Sequence, residues 1–149
     1  MTRRGRARDE GGTAIVEFVW LAILLLVPML YIVLAAFDVQ RSAYAASAAA
    51  RSAGRAFVTA PDQASGYARA QAAVRLAYAD QHLATPPSVT ISCRPRPGAC
   101  LTPGSVVVAR IESSVRLPLV PAALGSDVPR IAVGSEHQAP YGTFREARP

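Results

Sequence analysis

The sequence predicts an α+β protein: one long N-terminal helix, then a second helix packed on a small antiparallel β-sheet. Three observations carry that expectation. Residues 18–37, FVWLAILLLVPMLYIVLAAF, form an unbroken run of twenty residues without a charge. An Ala-rich, Pro-free stretch follows directly, from Asp38 to Phe57. In the final third of the chain the apolar residues switch to strict alternation, the period of a strand.

The apolar run comes first. At 1.5 Å per residue its twenty helical residues span about 30 Å, the thickness of a hydrocarbon core. Thirteen of them are Leu, Ile, Val or Phe. At the per-residue insertion values for these side chains they contribute about −4 to −8 kcal/mol, more than Pro28 and the neighbouring Glu17 cost. A core helix of a soluble domain would show polar positions every three or four residues, and this run shows none. The segment therefore reads as a single membrane span in contact with the lipid bilayer. Arg3, Arg4, Arg6 and Arg8 precede it, whereas the first cation beyond it is Arg41. The positive-inside rule then places the N-terminus in the cytoplasm and the rest of the chain outside it. A secretory signal peptide also begins with basic residues, but its apolar core is about 7–15 residues long, shorter than this one.

The span continues as a helix to about residue 57. Ser42, Ala46, Ala50 and Gly54 recur every fourth residue and make a strip of small side chains, the kind of surface against which another helix packs closely. The strip reads either as a packing face for neighbouring helices or as a chance product of Ala-rich composition. Pro28 is expected to kink the helix. Ala60-Pro61-Asp62 breaks it, and a second helix is expected from Gln63 to Leu83, with Tyr67, Ala70, Val74, Ala77 and Tyr78 toward one side. Thr85-Pro86-Pro87 is expected to end that helix.

Three strands follow by alternation. Val89, Ile91 and Cys93 form one face of the first. Val107, Ala109, Ile111, Val115 and Leu117 form one face of the second, which runs from Val106 to Leu117. Ile131 and Val133 mark the third, Arg130 to His137. The Pro-containing stretch from Leu117 to Ala122 reads as a loop. The end, from Ala139, is expected to fray because it mixes Pro with charge. Three segments result: a basic leader over 1–12, the long helix over 13–57 with its membrane span at about 18–37, and an extracytoplasmic α+β domain over 58–149.

The chain has 149 residues and a net charge of +6, with all 16 basic residues Arg and no Lys or Asn. That bias suits a G/C-rich genome. Arg51, Arg69, Arg94, Arg116 and Arg145 are scattered, without the basic-aromatic patch of a nucleic-acid binder, so no nucleic-acid partner is expected. Cys93 and Cys100 are the only cysteines. Outside the cytoplasm they are expected to form a disulfide across a turn-rich segment. Two buried thiols would be the alternative, and a zinc site lacks the four closely spaced ligands it needs. His82 and His137 stand alone. There is no G-x-S-x-G, no H-E-x-x-H and no phosphate-cradling Gly loop. The chain is expected to be neither an enzyme nor a cofactor or metal carrier, and no small-molecule substrate is evident.

The most informative local string is Gly11-Gly12-Thr13-Ala14-Ile15-Val16-Glu17-Phe18, preceded by Arg-rich sequence and followed by the apolar run. It resembles the leader of type IV pilin-like proteins, and most closely that of the TadE-like minor pilins and pseudopilins of the tight-adherence system. The resemblance covers about the first quarter of the chain. It implies that a prepilin peptidase cuts between Gly12 and Thr13, leaving Glu17 as the fifth mature residue and Phe18 after it. It further implies assembly with other pilin-like subunits and a pilus assembly platform. The chemistry of the string fits. Gly12 lacks a Cβ, so a protease reaches the backbone closely. Cleavage would free an amine on Thr13, one helical turn from the Glu17 carboxylate. The competing expectations are a single-pass protein whose leader is retained and whose outer domain binds an envelope partner, or a domain released by signal peptidase.

Overall fold

The computed structural model describes residues 13–83, 87–116 and 130–149. Helix α1 runs over Thr13–Val58 and α2 over Gln63–Asp80; strands β1 (Ser88–Arg94), β2 (Val106–Arg116) and β3 (Arg130–Pro140) follow. The strands form an antiparallel meander in the order β1-β2-β3. This is the α+β arrangement expected, with strand starts where the alternation places them.

Helix α1 divides into two physically different halves. At 46 residues it extends about 69 Å, and Pro28 lies inside it without ending it. Its first half is a bare stalk: Phe18, Leu24 and Trp20 are 70%, 70% and 68% exposed. Its second half is the spine of the domain. Ala45, Ala46, Ala49, Ala50, Ala53 and Phe57 are completely buried against the sheet and α2. The core thus begins at about Ser42, and the domain is not confined to residues after 57. The small residues explain how a helix lies so close to a sheet. A Cβ on Gly54 would come within 3.2 Å of the Ala139 Cβ and 3.3 Å of the His137 Cδ2.

The two helices form an antiparallel hairpin. Asp62 is the N-cap of α2, its Oδ1 accepting from the Ser65 N–H at 2.8 Å while its Oδ2 accepts from the Ser65 hydroxyl at 2.7 Å. Those bonds hold its carboxyl below the usual carboxylate range. Gly66 lets the helices meet, since a Cβ there would come within 3.0 Å of the Phe57 ring. Phe57 in turn meets Tyr67 edge-on at 5.0 Å. The buried face of α2 is Gly66, Ala70, Val74 and Tyr78, whereas Tyr67, expected on that face, is 42% exposed at its margin. The helix ends at Asp80, three residues before the expected end. His82 takes a left-handed conformation, φ 58°. The Leu83 N–H then returns to the Tyr78 carbonyl at 3.0 Å and closes the helix. The expected stop at 85–87 lies mostly outside the described residues.

The inward face of β2 is Val107, Ala109 and Ile111, all fully buried, and Ala139 of β3 joins it. Leu117 and the expected loop after it lie outside the described residues. On the outward face Arg110 bridges to Glu136 at 3.1 Å across the β2–β3 pair.

The expected fraying at the C-terminus does not occur. Tyr141 is buried, and its N–H reaches the Ser105 carbonyl at 2.9 Å. Arg145 Nη1 donates to the Val58 carbonyl, and Arg148 Nη1 to the Ala60 carbonyl, each at 2.8 Å. The Gln63 N–H donates to the Pro149 carbonyl at 2.8 Å. The last turn of a helix leaves carbonyls without intrahelical partners and the first turn of the next leaves N–H groups. The tail satisfies both at the α1–α2 corner, so its charges and its backbone are what dock it.

Candidate functional site

The sequence singled out the start of α1, and the structure places its described part on a free, apolar rod. Thr13, the first described residue, is already helical, and Glu17 lies one turn later, exposed. Gly12, the expected cut position, lies outside the described residues. Glu17 makes no ion pair with any described residue, and Phe18 beside it is open. From Ile15 to Phe37 the large apolar side chains point outward around the helix, with little cover from the other described residues. The helix is long and apolar enough to cross a bilayer. An isolated apolar rod of this size is unfavourable in water, at about 25 cal/mol per Å² of exposed apolar surface. It therefore needs lipid or other helices around it.

The strip of Ser42, Ala46, Ala50 and Gly54 behaves differently from the expectation of a face for neighbouring helices. Ser42 is 1% exposed, Ala46 and Ala50 are fully buried, and Gly54 is buried as well. Close packing does occur there, but the partners are the chain's own strands and α2. Small side chains permit close approach without specifying what approaches. The stalk before Ser42 is what the described domain leaves uncovered.

Cys93 and Cys100 are joined as a disulfide, their Cα atoms 5.2 Å apart, an ordinary separation for such a bond. Cys93, the penultimate residue of β1, lies on the core side, and Cys100 is fully buried beside Leu101. The Ser105 hydroxyl donates to the Cys100 carbonyl, and the Arg94–Pro95 peptide in this loop is cis. The bridge therefore staples the pole of the domain far from the stalk. No cluster of three or more metal-ligating side chains exists among the described residues.

One arrangement escaped sequence reasoning. At the stalk-side end of the sheet a cleft of about 370 Å³ is lined by Ser42, Tyr78, Leu83, Ser113, Ser114, Val115, Arg116 and Arg130. Arg116 and Arg130 are direct partners across the β2–β3 ladder, on the outward face of the sheet with Arg110 and Glu136 and opposite the face that meets Tyr78. Tyr78 is 2% exposed, and its hydroxyl has no hydrogen-bond partner among the described residues. Burial pushes its phenol up, and the nearby Ser113 hydroxyl opposes that shift. Only the strand register brings the two arginines together, and the sequence gives no direct signal of register. Comparison with protein-family models, with curated proteins and with solved structures finds no match to this chain.

Proposed function

We propose that the chain is a minor pilin or pseudopilin of a tight-adherence-type pilus or a related secretion machine, made as a membrane-anchored precursor and processed by a prepilin peptidase. The observation that carries this reading is the coincidence of three features at the start of α1. Thr13, directly after the Gly11-Gly12 pair in sequence, is helical. Glu17 and Phe18 follow at the fifth and sixth positions. The twenty residues from Phe18 to Phe37 form an apolar stalk that the described domain leaves uncovered.

In this reading the leader stays on the cytoplasmic side, the stalk occupies the bilayer, and the domain from Ser42 onward lies outside. Cleavage after Gly12 converts an internal amide into a cationic amine on Thr13. An unpaired carboxylate in a low-dielectric surrounding is expensive. Glu17 of one subunit therefore seeks the freed amine of a neighbour, and that pairing sets the axial register of a helical assembly. The stalk supplies the lateral contacts, because the strip of small residues is already consumed within the domain.

The test is incorporation. In cells carrying the peptidase and the assembly machinery, Glu17→Ala is expected to remain in the membrane fraction yet disappear from sheared pili or isolated assembly complexes. Normal incorporation of that variant would overturn the role given to Glu17. Retention of the leader in all chains would instead favour a permanently anchored single-pass protein.

A further inference from the structure

We propose that the open face of α1 above the bilayer, formed by Arg41, Tyr44, Arg51 and Arg55, docks the helix of a second, non-identical membrane-anchored subunit that presents acidic side chains to it. The inference deepens the pilin reading by naming the chemistry of the partner, and it rests on that reading for the placement of the bilayer.

Three observations lead there. First, the residues share one face. At about 100° per residue, Phe37, Arg41, Tyr44, Ala48, Arg51 and Arg55 fall within an arc of about 80°. The other side of the same turns holds Ser42, Ala46, Ala50, Ala53 and Phe57, which are buried in the domain. Arg41, Tyr44, Arg51 and Arg55 are exposed, Tyr44 at 73%. Below Phe37 the same arc continues through Ile23, Leu30 and Val33 of the stalk, which are exposed as well.

Second, above Phe37 the face is cationic. Arg41, Arg51 and Arg55 make no ion pair with a described residue. Asp38, the nearest acid on the helix, lies about 60° round from Arg41 and makes none either. Arg51 and Arg55 are like charges one turn apart, an arrangement that destabilises a helix standing alone. Arg55 gains from the helix dipole in the last turn; Arg41 and Arg51 stand too far from the end to do so. Tyr44 adds an exposed aromatic, and aromatic residues together with Arg are the usual anchors of protein interfaces.

Third, the levels select a helix. Along the axis Arg41 lies about 6 Å beyond Phe37, Tyr44 about 10.5 Å, Arg51 about 21 Å and Arg55 about 27 Å. The polar layer of a bilayer extends only about 5–7 Å beyond the hydrocarbon, so lipid headgroups reach Arg41 and nothing above it. A partner that follows the whole face is apolar below Phe37 and acidic above it, which describes another helix leaving the bilayer beside α1. A second copy does not fit. In parallel register each of the three arginines meets itself, and like charges brought together oppose association. Nor do the described surfaces offer an acidic alternative. The outer face of the sheet sets Arg94, Arg110, Arg116 and Arg130 against Glu112 and Glu136, and α2 with its cap sets Arg69 and Arg75 against Asp62 and Asp80.

The test reconstitutes the full chain in phosphatidylcholine vesicles and reads association by energy transfer between donor- and acceptor-labelled copies. The acidic probe is the chain's own variant R41E/R51E/R55E. The parent is expected to pair with this variant about tenfold or more tightly than with itself, with the preference shrinking at high salt. Self-association of R41Q/R51Q/R55Q is expected to fall between the two. The control R69E/R75E/R116E has the same net charge, reversed at exposed positions elsewhere, and is expected to pair with the parent no better than the parent does. Tyr44→Ala is expected to weaken the parent–probe pair a few-fold at unchanged Tm. Equal pairing of the parent with itself and with the acidic probe, or equal pairing with the control, would overturn the docking face. Displacement of the probe by a duplex oligonucleotide would assign the face to a polyanion instead and overturn the helical partner. The assay needs neither peptidase nor pilus, so a parent that enters the vesicles without preferring the probe refutes the face alone. A chain that does not enter them refutes the anchor and the proposal together.

Discussion

Filling the small-residue strip at Gly54 tests whether α1 is the spine of its own domain or a face kept open for neighbours. A Cβ at this position already stands 3.2 Å from the Ala139 Cβ and 3.3 Å from the His137 ring. For Gly54→Ala two effects oppose. Alanine in a helix interior is favoured over glycine by about 0.8–1 kcal/mol, and the contact with Ala139 takes back a similar amount, because that methyl is fixed to the β3 backbone. The net change is close to zero. Gly54→Leu adds three further carbons where there is no room, and overpacking of this kind costs about 1–3 kcal/mol. For a domain of about 100 residues each kcal/mol moves Tm by about 4–8 °C, so the leucine variant should melt about 4–24 °C below the parent. Thermal unfolding of the detergent-solubilised chain, followed by circular dichroism, reads both variants. An unchanged Tm for Gly54→Leu, together with loss of assembly, would refute the internal packing and restore the strip to an intersubunit role.

Other consequences follow from the pole far from the stalk. Replacing Cys93 and Cys100 by Ser should cost about 2–3 kcal/mol, the loop-closure value for a bridge of sequence separation 7. Chemical denaturation of oxidised and reduced chains would show it as a lower midpoint for the reduced chain. The Asp62 carboxyl is held below its usual value of 3.8 by its bonds to Ser65. Its contribution to stability is therefore complete above pH 3.8 and is lost as pH falls through the lowered folded value. Asp62→Asn should flatten that acid limb in melts taken between pH 5 and pH 2. Arg145→Ala and Arg148→Ala each remove a charged donor from a helix-end carbonyl, at Val58 and Ala60 respectively. Each should lower stability by about 1 kcal/mol, with faster amide exchange at the α1–α2 corner by mass spectrometry.

Much of the fold was legible because its signals are periodic. Alternation at Val89, Ile91 and Cys93, and again from Val107 to Ile111, marks strands whose inner residues are buried or partly buried, although Val108 on the opposite face of β2 is buried as well. The apolar run from Phe18 to Phe37 needs no partner to be recognised, since its length and lack of charge already exclude a half-buried surface helix. Harder to read were features that depend on which surfaces meet. Ser42, Ala46, Ala50 and Gly54 announce close packing but not its partner, and the partner proved to be the chain's own sheet and α2. The tail from Tyr141 looked free because its anchoring groups are charged side chains and backbone atoms, which carry no hydropathy pattern. His82 ended α2 early through a left-handed residue that only glycine would have signalled. The Arg116–Arg130 rung required the register of two strands separated by thirteen residues of intervening chain.

The central claim is that the bare stalk is a membrane-resident pilin helix whose first mature residue is Thr13. The most direct measurement is the intact mass and N-terminal peptide of the chain extracted with detergent from the membranes of cells that carry the peptidase. The account predicts a mature chain beginning at Thr13 and recovered only with detergent. A chain recovered without detergent, or one still beginning at Met1 or Thr2, would contradict it.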